Sequence, residues 1–324
     1  MVFENEILWA VFGAVVLVMM ALDLGVFHKK AHVVSVREAL VWTAIWVAIG
    51  LAFALAIRVY VDPEYLADPN AVAGHRPSLE YLTCYLTEYA LSIDNIFVFL
   101  VIFSYFAVPA ESQHRVLFWG ILGAMGMRAA FLWVGIGAIE RFHWMIWVLG
   151  GLLILTGAKL FFQKEDSELD PSKNIVLRLA RRVLPVTEDF HGSDFFVRID
   201  GRRHATPLFM ALLVVETTDV LFALDSVPAA LGISQNMFVV YTSNIFAILG
   251  LRSLFFAVGG LLKYLHYLRV GLALILVFVG VKMLLPEHLK LPTGVALCVV
   301  VVILASAVVA SLIRTRILRS DQGR

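Results

Sequence analysis

Apolar runs of about 20 residues, the length that crosses a hydrocarbon core as a helix, recur roughly nine times along this chain. They fall at 7–27, 38–60, 79–104, 115–139, 144–163, 207–231, 236–262, 268–285 and 292–314. Of all residues, 60% are hydrophobic and only 16% charged, with a mean hydropathy of +0.86. Ordinary soluble domains are roughly 25% charged. A chain of 324 residues cannot hide so much apolar surface from water, so the lipid bilayer must be its main partner. The expected fold is all-α, a polytopic transmembrane bundle of about nine helices forming one membrane domain. A net charge of +1 offers no field to recruit nucleic acid. The first residues lack the basic stretch of a signal peptide, so the first run is expected to stay as a membrane helix. Cys84 and Cys298 lie in separate apolar stretches without a CxxC, and both read as small core residues.

Lysine and arginine in the connecting segments set the expected orientation. With the N-terminus outside, the inner loops collect Lys29, Lys30, Arg37, Arg115, Lys263, Arg269 and the basic residues of 164–206. The outer loops hold only Arg58, Arg76, Arg141 and Lys290. The tail residues Arg314, Arg316 and Arg319 then lie in the cytoplasm, as an odd number of spans requires. Segment 164–206 is the one long polar stretch. Within it, Lys173–Leu184 reads as a basic amphipathic helix suited to anionic lipid, and Phe195–Ile199 with Asp200, Gly201 and Arg202 reads as a hairpin. The alternative is a plain solvated linker.

An internal correspondence divides the chain further. Ala90-Leu91-Ser92-Ile93-Asp94-Asn95 aligns with Phe222-Ala223-Leu224-Asp225-Ser226, and a second acid precedes each aspartate by six positions, Glu88 and Asp219. Gly126-Met127-Arg128 aligns with Gly250-Leu251-Arg252, and Gly157-Ala158-Lys159 with Gly280-Val281-Lys282. Each unit holds three spans, so the second must enter from the opposite face, an inverted three-plus-three helix repeat. The organisation expected is two N-terminal helices in 1–78, repeat one in 79–163, a cytoplasmic loop at 164–206, repeat two in 207–285, and a C-terminal helix and tail in 292–324.

The informative residues are ionisable groups inside these apolar spans. Glu88, Asp94, Glu216, Asp219 and Asp225 are acids; Arg128, Lys159, Arg252 and Lys282 are bases; Asp23 lies near the end of the first span. Each charge facing lipid at the bilayer centre would cost about 2.5–3.5 kcal/mol, so they must face one another, a cavity or an ion. Several carboxylates without paired Cys or His suit a hard divalent cation such as manganese, magnesium or calcium. Ser92, Asn95, Ser226 and Asn244 offer further oxygens nearby. The plainer reading is a set of structural salt bridges. A mixed reading has Arg128, Lys159, Arg252 and Lys282 as gating counterions displaced by the cation. Glu216 and Asp225 lie on opposite sides of an ideal helix, so that span either uses two faces or is broken at Pro228. No phosphate loop, nucleophile elbow, haem or flavin motif occurs. An enzyme is not expected, and neither is a permanently bound cofactor.

Glu88-Tyr89-Ala90-Leu91-Ser92-Ile93-Asp94-Asn95 and the stretch Glu216 to Ala229 resemble the two signature segments of the TerC family. Asn244 to Arg252 resembles a third, and Asp23-Leu24-Gly25-Val26-Phe27 is similar to the family's N-terminal segment. The resemblance covers nearly the whole chain and points to the bacterial Alx branch. It implies a bacterial inner-membrane protein, in a family linked to manganese export, tellurium resistance, and alkaline or redox stress. It also implies Glu88, Asp94, Asn95, Glu216, Asp219 and Asp225 as ion-binding positions. The expected function is therefore export of a divalent cation, manganese first and calcium second, with protonation of the same acids as a coupling route. The rivals are a membrane-bound redox modulator or scaffold without transport and, further behind, a membrane enzyme using these acids for acid–base chemistry.

Overall fold

The computed structural model describes residues 6–27, 35–67, 75–142, 144–162, 174–199, 201–258, 267–286, 289 and 291–322; within the helices, the side chains of 22–27, 93, 94, 97, 269 and 315–322 lie outside the description. Every apolar run coincides with a helix: α1 (Glu6–Phe27), α2 (Val36–Ala56), α4 (Pro77–Tyr105), α5 (Ala110–Arg141), α6 (Met145–Phe162), α8 (Pro207–Ile233), α9 (Met237–Val258), α10 (Leu268–Leu284) and α11 (Thr293–Gln322). Two short helices are added, α3 (Asp62–Ala67) and α7 (Ile175–Val183), with one hairpin, β1 (Phe196–Ile199) and β2 (Arg202–Ala205). Among the described residues, six helices are long and apolar enough to cross a membrane. Their outer faces carry bare apolar side chains such as Leu55, Trp133, Leu155 and Val302, as lipid contact requires. The chain is an all-α polytopic membrane bundle.

Local chemistry sets the helix ends. Pro77 opens α4, where a missing N–H costs nothing, and Asp62 of α3 accepts from the Ser78 amide (2.9 Å) and the Ser78 hydroxyl (2.5 Å). A π-helical turn at Ile57–Val61 joins α2 to α3 and so brings Asp62 over that helix start. Pro207 opens α8 in the same way, with the Thr206 hydroxyl bonded to Asp194 O at 2.7 Å. In the hairpin Phe196 pairs with Ala205 and Ile199 with Arg202, and Gly201 takes the positive φ of +79° that the turn needs.

Helix α9 is the most enclosed span, with Thr242, Ser243 and Asn244 fully buried. It lies against α2, α4 and α5, while α8 lies against α4, α5, α6 and α10. Helices α4 and α8 run antiparallel: Ser234 near the end of α8 bonds Glu80 near the start of α4 (2.6 Å), and Cys84 Sγ meets Ala230 O (3.8 Å). Helices α5 and α8 run parallel, Gly120 against Val215 and Gly135 against Leu231. Antiparallel α6 and α10 cross through small residues, with Gly150 beside Leu284 and Gly157 beside Ala273, the close approach that drives helix association in lipid.

Two open alternatives are decided and one expectation changes. Helix α8 is continuous through Pro228; its buried ring is held among packed helices, so the helix uses two faces instead of breaking. Cys298 is exposed on α11, because that helix has the lipid on its outer side. The polar segment is more than a linker: it holds α7 and the hairpin, although 163–173 and Asp200 lie outside the described residues. Leu177 of α7 is buried against the body, whereas Ile175, Leu179 and Val183 are exposed.

A Cβ at Gly157 would stand 2.7 Å from the carbonyl oxygen of Ala273, whereas one at Gly151 on the same helix meets nothing within 4 Å. Gly157→Ala is expected to destabilise the bundle by about 1–3 kcal/mol, seen as a lower thermal unfolding midpoint in detergent, while Gly151→Ala leaves it unchanged or raised.

Candidate functional site

Glu88 of α4 is 2% exposed and Arg128 of α5 is 5% exposed, and they form an ion pair at 2.5 Å. Two charges this deep hold only when their remaining donors and acceptors are also engaged. Arg128 Nη1 donates to Asn244 Oδ1 at 2.6 Å, and Asn244 in turn donates to Val240 O at 2.9 Å, which fixes which way its amide points. Ser92, one turn along α4, donates to Glu88 Oε1 at 3.3 Å. The group ties α4, α5 and α9 together at one level.

The acids of α8 are placed differently. Glu216 and Asp219 are one turn apart and share a face. The Glu216 carboxylate occupies the space where a Cβ on Gly123 of α5 would stand. Asp219 lies in the field of Arg128, Glu216 and Glu88. Neither Glu216 nor Asp219 has a hydrogen bond or an ion pair among the described residues. Asp225 lies on the opposite side of α8, takes a hydrogen bond from Thr156 of α6 and sits beside Lys159.

Two cavities open on these groups. A small one of about 10 Å³ is lined by Asn95, Arg128 and Asp219 among apolar residues such as Phe99, Leu117 and Ile248, room for about one water. A larger one of about 130 Å³ is lined by Asn95, Arg128, Thr156, Asp225 and Ser226. The Ser226 hydroxyl is buried and has no protein partner. Asn95 and Arg128 line both cavities, so Asp219 and Asp225 look onto adjoining spaces, whereas Glu216 lines neither.

Carboxylate, amide and hydroxyl oxygens around a wet cavity are the donor set of a hard cation. Among the described residues, no three His, Cys, Asp or Glu converge as a ready metal cage, so an ion here would be held partly by amide, hydroxyl and water oxygens. The side chains of Asp94 and Asp23 lie outside the described residues. Arg252 is 2% exposed on α9. Lys282 reaches the carbonyls of Gly232 and Ile233 at 3.5 Å, where a cation favours the C-terminus of α8. Lys159 is exposed near the end of α6. Gly123 and Thr156 were not expected at the site. Their signals were a glycine inside an acid-facing span and a hydroxyl one turn before Lys159.

The family model described as "Integral membrane protein TerC family" matches residues 73–321. An "Uncharacterized membrane protein STKORF319" of Myxococcus xanthus is 50% identical over 309 residues, covering 95% of this chain and 93% of that protein. Proteins named "Putative membrane-bound redox modulator Alx" are similar too. The one from Photorhabdus laumondii is 38% identical, with 93% of each chain covered. That of Escherichia coli K12 is 39% identical, with 91% of each covered. No solved structure matches the chain.

Arg128→Gln would leave Glu88 buried without its counterion, at a cost of about 3–5 kcal/mol. Glu88→Gln combined with Arg128→Gln is expected to recover much of that loss, and a double-mutant cycle of thermal unfolding measures the coupling.

Proposed function

The chain belongs to the TerC family of integral membrane proteins, and from this premise we propose that it is a secondary transporter of a divalent cation, manganese foremost and calcium second. The observation that carries the proposal is the pair Glu216 and Asp219: two half-buried carboxylates one turn apart in an apolar bundle, with no hydrogen bond or ion pair among the described residues. Such groups in a span are costly unless a pathway uses them. Asn95 and Ser226 supply neutral oxygens, and Asp225 offers a third carboxylate across the adjoining cavity. Glu88 is already held by Arg128. Its part in the reading is to release that guanidinium when a cation adds positive charge beside Asp219.

The opposed directions of α4 and α8 support alternating access by the two repeat units around a shared centre. Lysine and arginine placement supports a bacterial inner-membrane location with the N-terminus outside and the C-terminus in the cytoplasm. In this reading the acids act as ligands and perform no covalent chemistry. The second reading, a redox modulator or scaffold without transport, is favoured by the names of the Alx relatives.

Asp219→Asn and Glu216→Gln are each expected to weaken manganese binding by at least ~tenfold, about 1.4 kcal/mol, in calorimetry on the purified protein. Gly123→Ala should fold normally, since only the tip of a flexible side chain must yield, yet lose about 10-fold or more through displacement of Glu216. In cells, deletion should raise manganese content. Wild-type content in cells carrying Asp219→Asn would favour the redox or scaffold reading.

A further inference from the structure

Helix α4 carries a second polar stripe that the carboxylate site does not use. Tyr81, Tyr85 and Tyr89 recur every fourth residue, so they stack along one face. Tyr81 and Tyr85 are 0% and 2% exposed, with ring centroids 6.1 Å apart and planes within 6°. Tyr85 and Tyr89 follow at 5.7 Å. All three hydroxyl oxygens are buried, and none has a hydrogen-bond partner among the described residues.

The surroundings make this costly. Tyr81 packs on Phe53 of α2. Tyr85 fills the notch at Gly50, where a Cβ would stand 3.1 Å from its hydroxyl. Tyr89 lies over Gly250 of α9, beside Trp46, and the Trp46 indole is already given to Ser253 at 3.1 Å. An unmet buried hydroxyl costs roughly 1–3 kcal/mol. Phenylalanine would fill the same space without that cost, and this chain uses it 23 times. Three tyrosines in register therefore call for a partner of their own, and buried polar groups of this kind are met by ordered water.

We propose that Tyr81, Tyr85 and Tyr89 form a water-bridged column that conducts protons between the membrane face at the start of α4 and the level of the Glu88–Arg128 pair. Each hydroxyl accepts from one water and donates to the next. A proton taken up at one end is thus released at the other, and no tyrosine oxygen carries a charge. On an ideal helix Tyr81, Tyr85 and Tyr89 lie about 20°, 60° and 100° around α4 from Glu88, so the column winds away from that acid as it climbs and reaches its level on a different face. As the counterflow for cation movement, the column rests on the transport reading; as a proton path it stands without it.

The full chain in proteoliposomes holding a pH-sensitive dye tests this, with a potassium diffusion potential driving protons and with manganese present or absent. Wild type should pass protons faster than protein-free vesicles. Tyr85→Phe should lose that flux by about tenfold while manganese binding, measured by calorimetry, stays within about twofold. Tyr81→Phe should match it. A Tyr85→Phe protein with wild-type proton flux overturns the column, as does a wild type that passes no protons in either condition. Proton flux lost in Tyr85→Phe, in a protein that binds no manganese, upholds the column and removes the transport reading instead.

Discussion

Burying Glu88 against Arg128 is the constraint from which the rest of the bundle takes its arrangement. Neither charge survives in a lipid-solvated interior alone, and the pair survives only because Asn244 and Ser92 take up the remaining donor and acceptor. Those four residues sit on α4, α5 and α9. The three helices must meet at one level, and α9 must be enclosed for its amide to serve. The full burial of Thr242, Ser243 and Asn244 follows from that demand as much as from hydropathy.

With Arg128 committed to Glu88 and Asn244, Glu216 and Asp219 of α8 have no ion pair among the described residues, while Asp225 sits beside Lys159. The division is one carboxylate neutralised by a guanidinium and two without an ion pair among the described residues. Glycine at 123 lets Glu216 lie against α5, and Asp225 turns to Thr156 on the far side. A central helix with acids on two faces needs cavities on both, and Asn95 with Arg128 joins them.

Much of this was legible in the residues. The nine apolar runs became helices because bilayer thickness sets span length and few residues interrupt it. The acids inside those runs were legible as buried polar groups for the same reason. Pairing was harder to read. Hydropathy does not say which base meets Glu88, nor that Lys282 would turn to the end of α8. The π-helical turn at 57–61 carries no compositional mark, since it depends on where Asp62 must arrive. Pro228 misled because a proline breaks an isolated helix more readily than one clamped on all sides. Cys298 misled because an apolar stretch reads alike whether it faces protein or lipid.

The two units that correspond in sequence use equivalent residues unequally. Glu88 is ion-paired, whereas its counterpart Asp219 has no ion pair among the described residues. Lys159 lies beside an acid, whereas its counterpart Lys282 reaches backbone carbonyls. Helix α4 packs on α9 as α8 packs on α5, and α6 packs on α10, its own counterpart, so the packing partners exchange while the charge partners do not. Identical halves in identical roles would leave a bundle no second arrangement to move to. Exchange of those roles between the halves would give such a bundle a second arrangement, and α6 meets α10 through small residues at close approach. The unequal use of Glu88 and Asp219 is thus the structural asymmetry on which any movement between two such states must turn.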